Sequence, residues 1–226
     1  MEGRGSSRPI VIPGEAVGSR GLKPGSGTYS EGGRIYAAHL GIVSERSGFV
    51  DVIPLAGRYL PRRGDAVVGE VVDLGPSHWL VDINSPYPAP LHATESPWDV
   101  EFGDTGRFLD VGDALLCHVL SVDEIKRVQL TMRDREARKV QGGRLLEIQP
   151  AKVPRVIGRD GSMISLLKER THCKVYVGQN GRIWLDGRDE DIALAVRAIR
   201  FVEERAQTIG LTETVKDFLS RARPGD

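Results

Sequence analysis

The sequence predicts a mainly β protein with an α/β unit at its end: a small amino-terminal β domain, a barrel of the OB type, and a carboxy-terminal unit in the order β-α-α-β-β-α. Three observations predict this. Short apolar runs broken by Gly and Pro every few residues fill the chain up to about residue 135, and 27 glycines supply the turns. A Gly-x-x-Gly, Gly158 to Gly161, sits between two short helical patterns. A single long helical period then follows, with Ile192, Val196, Ile199, Val202, Ala206 and Ile209 spaced by 4, 3, 3, 4 and 3 residues on one face.

Residues 1–62 hold the runs "PIVIP", "GRIYAAHLGIV" and "GFVDVIPL", separated by "KPGSGTYSEGG" and "LPRRGD". Runs this short between turn residues predict strands and leave no room for a helix. Residues 63–135 give about five segments rich in Val, Leu and Ile, two of them opening at Gly64-Asp65 and Gly112-Asp113. Asp123 to Arg127, "DEIKR", predicts the hairpin turn between the last two. Five short strands with a long middle connection suit an OB-type barrel, whose open face binds single-stranded nucleic acid.

Residues 144–210 begin with a strand, "RLLEIQP", followed by helix, Gly-x-x-Gly turn and helix over Val153 to Thr171. "CKVYVGQNGRIWLDG" predicts a hairpin turning at Asn180-Gly181. Asp189, Glu190 and Asp191 open the last helix, where negative charge is stabilised by the free amides, so a metal-binding reading of these carboxylates is the weaker one. Glu203 and Glu204 read as a solvated face, and residues 211–226 as a polar tail.

The 226 residues carry 31 Lys and Arg against 31 Asp and Glu, which excludes a uniformly basic coat. The charge is uneven, however: Arg133 to Lys174 holds 11 basic against 5 acidic residues, so an anionic partner would meet one face. The two cysteines, Cys117 and Cys173, form no Cys-x-x-Cys, which argues against a disulfide framework or a zinc ribbon and for a reducing, cytoplasmic setting. No apolar run is long enough for a membrane helix, and the start lacks the apolar core of a signal peptide.

The Gly-x-x-Gly turn has a physical reading. Two glycines three apart let the backbone approach a sugar-phosphate chain where a Cβ would obstruct it. Amides from Ser162 onward can face phosphates, Arg155 and Arg159 add charge-assisted contacts, and Val156, Ile157 and Leu166 can line a groove for unstacked bases. With "VIGRDGSMI" in this element order, the segment from about Arg144 to Gly210 resembles a KH domain, which grips a short single strand in this way. The resemblance implies RNA contacts at Arg155, Ile157, Gly158, Arg159, Asp160, Gly161 and Ser162; Asp160 places a negative charge in the loop and should weaken its grip.

The block from Gly64 to Asp134 resembles an S1 RNA-binding domain. "PLHATE" matches that family's Leu-Val-His-Ile-Ser-Glu strand, which implies an RNA-facing role for His92, and "RVQLTMRD" matches its closing strand, with Arg133 at the basic position. Arg107 is a further candidate contact. Counted back from Val81 to Ile83, the family's two aromatic positions fall on Ser77 and Leu80. Trp79 is one residue out of register, so it is either a stacking ring for RNA or barrel core.

"VIPGE" followed by "GSGTYSEGGRIYAAHLGIV" resembles the amino-terminal domain of the RNA-binding cap subunits of the exosome, whose pattern is Pro-Gly-Glu, then Gly-x-Gly-Thr-Tyr and Ile-Tyr-Ala. With the S1 and KH resemblances in that order, nearly the whole chain is similar to the archaeal cap subunit of the KH-containing type, the ribosomal-RNA-processing protein 4 family. The resemblance implies a non-catalytic subunit: three copies cap a hexameric ring of RNase PH-like subunits and guide single-stranded RNA to phosphorolysis, with no cofactor. An enzyme of the polynucleotide phosphorylase kind also carries S1 and KH domains, but in the opposite order and after catalytic domains for which no residues remain here. A free-standing S1 and KH protein would not need the first block. Cys117-His118 and His172-Cys173 are neighbours on strands and point to opposite faces, so neither is a nucleophile and base pair, and buried cysteines are the better reading.

Overall fold

The computed structural model describes residues 9–18, 21–55, 57–208 and 210–222. The chain divides into two compact units, meeting in sequence at Gly57 and Arg58.

The first unit is all β. Its strands are β1 (Ile10–Val11), β2 (Lys23–Pro24), β3 (Thr28–Glu31), β4 (Arg34–Ala37), β5 (Gly41–Arg46) and β6 (Phe49–Pro54). They form a four-stranded sheet in the order β1-β5-β6-β2 and a separate β3-β4 hairpin. The hairpin turns at Gly32 and Gly33, both with positive φ (56° and 76°), the geometry whose twist matches that of the flanking strands. Val11, Val17, Ala37, Val43, Val50 and Val52 make a small core of short side chains.

The second unit opens with the barrel. Its strands are β7 (Ala66–Leu74), β8 (His78–Asp82), β9 (Ala89–His92), β10 (Ala114–Val122), β11 (Val128–Thr131) and β12 (Arg138–Val140). The sheet order β11-β9-β8-β7-β10-β12, with β10 also paired to β11, closes five strands into an OB-like barrel and appends β12. Asp123 to Arg127 forms the expected turn, since β10 ends and β11 begins on either side of it. Two boundaries shift. Tyr59 is packed in the barrel core and its hydroxyl donates to Asp65 at 2.7 Å, so residues 58–62 go with the barrel and not with the first block. β12 pairs with β10 through Val140, Lys139 and Arg138, which carries the barrel sheet past residue 135.

The remaining elements are β13 (Arg144–Glu147), α1 (Val153–Ile157), α2 (Ser162–Thr171), β14 (Lys174–Val177), β15 (Arg182–Asp186), α3 (Asp189–Glu204) and α4 (Leu211–Ala222). The sheet order is β13-β15-β14, all antiparallel. The core draws Val153, Val156, Leu167, Ile183, Leu185, Ala195, Ile199 and Val202 from the sheet and the three helices that precede α4. On the barrel side of the sheet, Trp184 clusters with Val68 and Leu116 of the barrel and with Val140.

Three readings are corrected. Residues 211–222 are a helix and not a polar tail: Leu211, Val215 and Leu219, four residues apart, are buried against the domain core, and Phe218 stacks on Phe201 at 4.7 Å. Few apolar residues in a polar stretch suffice when they recur at helical spacing. Glu203 is not simply solvated, because its carboxylate accepts from the Gln149 amide at 2.8 Å and from Arg200 at 2.7 Å. α3 stops at Glu204; Ala206 is still buried, while Ile209 lies outside the described residues. The acidic start of α3 stands as expected, with Asp191 buried and paired to Arg188 at 2.8 Å.

Candidate nucleic-acid interface

The Gly-x-x-Gly turn is held by backbone geometry that its residues make possible. α1 ends at Ile157, and Gly158 leaves it at φ 77°, ψ 175°, beyond the reach of ordinary side-chain-bearing residues. A Cβ on Gly158 would come within 2.7 Å of the Met163 amide nitrogen, so this glycine lets the loop close against the start of α2. Gly161 also has positive φ, but a Cβ there would meet nothing nearer than Ile164 at 3.8 Å. The two glycines therefore do different work: Gly158 allows packing, and Gly161 keeps the outer surface low.

Arg155, Arg159, Asp160 and Ser162 are exposed around this turn, with Ile157, Gly158 and Gly161 partly so. Asp160 sits at the tip in the left-handed region, φ 51° and ψ 30°, a conformation Asp tolerates better than most residues. Two expectations change. The Ser162 amide donates to the Arg159 carbonyl within the turn and so is engaged before any phosphate arrives. Val156 is wholly buried in the core, leaving Ile157 and Leu166 as the half-exposed apolar groups beside the loop.

On the barrel, β8 alternates: Trp79 and Val81 point inward, His78, Leu80 and Asp82 outward. Trp79 is fully buried, its indole N–H donates to the Thr105 carbonyl at 3.2 Å, and its ring meets Trp98 edge-on at 6.1 Å. It is core, and stacks on no base; the one-residue shift in register put it on the inner face. The outer face offers imidazoles instead. His78 lies opposite His92 in the β8-β9 pair, with ring centroids 5.9 Å apart. His92 is exposed as expected, and Arg133 is brought close to it in the chain path, its Nε donating at 2.8 Å to the Thr94 carbonyl just beyond β9. Arg107 is exposed but pairs with Asp104 at 2.7 Å, which offsets its charge. His78 was missed; the signal lay in the alternation, because a buried Trp79 and Val81 force their neighbours outward.

The cysteines are buried, and burial pushes the Cys117 thiol up to about 12, so it holds its proton at neutral pH. Among the described residues no group of three His, Cys, Asp or Glu is arranged to hold a metal ion. No described helix is long and apolar enough to cross a membrane.

This arrangement was compared with known proteins. Residues 143–191 match the family model of the KH domain, and residues 8–56 match that of the exosome RNA binding protein RRP4 N-terminal domain. The proteins named exosome complex component Rrp4 from Picrophilus torridus and Methanosarcina mazei are 42% and 45% identical to this chain. The first comparison covers 97% of this chain and 95% of the relative, the second 96% and 83%. The chain belongs to the Rrp4 family. The Thermoplasma acidophilum Rrp4, 41% identical over 97% of this chain and 93% of its own length, is a further relative. A crystal structure described as that of an exosome complex RNA-binding protein superposes with a TM-score of 0.67 at 38% identity, covering 74% of this chain and 98% of the other. Rrp4 membership accounts for a first β unit, a barrel and a KH domain in one chain.

Proposed function

We propose that this chain is a non-catalytic RNA-binding subunit of an exosome. Three copies cap a hexameric ring of RNase PH-like subunits in the cytoplasm and guide single-stranded RNA into the ring for 3'-to-5' phosphorolysis. The observation that carries this reading is that one compact unit presents two single-strand contacts, the exposed Gly-x-x-Gly turn with Arg155 and Arg159, and the barrel face with His78, His92 and Arg133. The names of the relatives supply the exosome as the setting.

The first unit suits docking on protein. Ile10 pairs with Ile42 and Ile42 with Ile53, a cross-strand row on one face of the sheet, and Ile10 and Ile53 are 62% and 41% exposed. An exposed apolar row of this kind is what a protein interface covers. The reading as a binding subunit and not an enzyme rests on the protonated, buried Cys117 thiol and on the structural roles of Asp191 and Glu203.

The test is affinity purification of the tagged chain from its native source, with the partners identified by mass. RNase PH-like subunits in a complex holding three copies of the chain are expected. Recovery of the chain alone, under conditions that keep other complexes intact, would leave only an RNA-binding protein.

A further inference from the structure

The barrel face has lost the ring that its β8 register would otherwise supply, since Trp79 is core. Around one tight turn the structure gathers three other rings. The turn is Gly75 to His78, closed by the Gly75 amide donating to the His78 carbonyl at 2.8 Å. On one side the Ala93 amide, next after His92, donates to the Ser77 carbonyl at 2.9 Å. On another the Gly103 amide, next after Phe102, donates to the Pro76 carbonyl at 2.8 Å. His78, His92 and Phe102 are thus each anchored, through their own or an adjoining backbone bond, to the same four residues.

Each ring is also presented. The Asp104 amide donates to the Glu101 carbonyl at 3.1 Å, and Gly103 has φ 93°, so Phe102 stands at the corner of a turn. It is 82% exposed, the most exposed large apolar side chain among the described residues. The His78 imidazole lies so close over Gly75 that a Cβ on that glycine would strike the ring. Such a ring is held in place before a ligand arrives, which lowers the ordering cost of binding.

We propose that His78 and Phe102, with His92, form a stacking surface for unpaired nucleobases of single-stranded RNA. The inference rests on the proposed RNA-binding reading and names the residues that contact bases on the barrel. Arg133, held at Thr94, supplies a cation beside it for the backbone. The acids nearby in the loop do not leave it uniformly negative, because Asp104 is paired with Arg107 at 2.7 Å. Every base offers a π face, so a stacking surface of this kind accepts a strand with little regard to sequence.

The experiment uses the full chain and an unstructured oligouridylate carrying one 2-aminopurine, whose fluorescence is quenched when it stacks. The wild type is expected to bind and to quench. The double variant His78→Ala with Phe102→Ala is expected to bind at least about tenfold more weakly and to lose the quenching, within the loss that removal of base stacks causes. Its thermal melting should match the wild type, since Phe102 is exposed and His78 is on the outer face. His78→Phe, which keeps a ring but no imidazole nitrogen, is expected to stay within about threefold of the wild type if stacking is what counts.

If the wild type binds RNA and the double variant binds and quenches equally well, the stacking proposal is overturned while the RNA-binding reading stands. If His78→Phe fails as badly as alanine, the imidazole acts by hydrogen bonding or charge and the proposal is again overturned. A wild-type chain that binds no single-stranded RNA would sink the RNA-binding reading itself.

Discussion

The side chain of Asn180, at the tip of the KH hairpin, bonds both backbone groups of Val68 in the barrel: its Nδ2 donates to the Val68 carbonyl at 2.8 Å and its Oδ1 accepts from the Val68 amide at 3.3 Å. The last β7-β8 rung on that side joins Glu70 and Asp82, so Val68 lies beyond it and lacks a strand partner there. Asn180 is fully buried and stands in for the missing rung, donating also to the Ile83 carbonyl at 3.0 Å. Beside it Arg182 reaches Asp82 at 2.6 Å and Glu147 at 2.8 Å. Burial alone would lower the pKa of that guanidinium, but the two carboxylates outweigh it and raise the value, so the clamp is charged at every working pH.

Replacement of Asn180 by Ala should therefore cost more than an ordinary surface change. It leaves the buried Val68 and Ile83 carbonyls without their donor, a loss of about 2 to 4 kcal/mol. Urea unfolding of the full chain is expected to show the barrel and KH domain losing stability together. A change under about 0.5 kcal/mol would mean that the hairpin merely rests on the barrel.

A second stability effect depends on pH. Burial would raise the Asp113 carboxyl, but the Asp110 amide and Lys139 outweigh it and hold it below the ordinary carboxylate range. A carboxyl with a folded-state pKa below its unfolded value of about 3.9 stabilises the fold above that pH and loses the contribution as pH falls through the folded value. Asp113→Ala is expected to be less stable than the wild type at neutral pH, with the gap narrowing below about pH 4. A gap that stays constant down to pH 2 would show that packing, and not charge, is at stake.

The glycines of the KH turn should separate fold from function. Gly158→Ala drives a Cβ into the backbone of α2 and is expected to lower thermal stability. Gly161→Asp meets open space and should keep the fold, while placing bulk and charge where the backbone of RNA must approach, weakening affinity about tenfold. Asp160→Lys is expected to strengthen binding. Gly161→Asp with unchanged RNA affinity would make the loop a structural turn only.

Binding should also depend on salt. The segment Arg133 to Lys174 has an excess of basic residues, and each phosphate contact to a single strand adds about 0.7 to the log-log slope. A titration from low to moderate salt is expected to show a slope of about 2 to 4, corresponding to about three to six contacts. Affinity that stays flat would remove the electrostatic part of the account.

Much of this fold was legible in the sequence because local signals agreed with the tertiary result. The Gly158 to Gly161 turn between two apolar periods, the hairpin at Asn180-Gly181 and the acidic start of α3 each carry their own geometry. What was not legible depended on contacts distant in sequence. Trp79 is assigned to the core only once Trp98 and the Thr105 carbonyl are known to meet it. Phe102 reads as one more loop residue until the Pro76 carbonyl ties its loop to the turn before His78. Asn180 reads as a turn residue, and nothing nearby in the chain discloses that its amide bonds a strand more than a hundred residues earlier.

The division of labour between the two units is the central claim, and the position of Tyr59 in the barrel core fixes where to cut. A chain of residues 58–226 keeps Tyr59 and every RNA contact named above. Mixed with a reconstituted hexamer of RNase PH-like subunits and examined by native mass spectrometry, the full chain is expected to add in three copies. The truncated chain is expected to add in none while retaining single-strand RNA affinity within about threefold, since no RNA contact is assigned to the first unit. A truncated chain that still joins the ring, or a full chain that never does, would contradict the account.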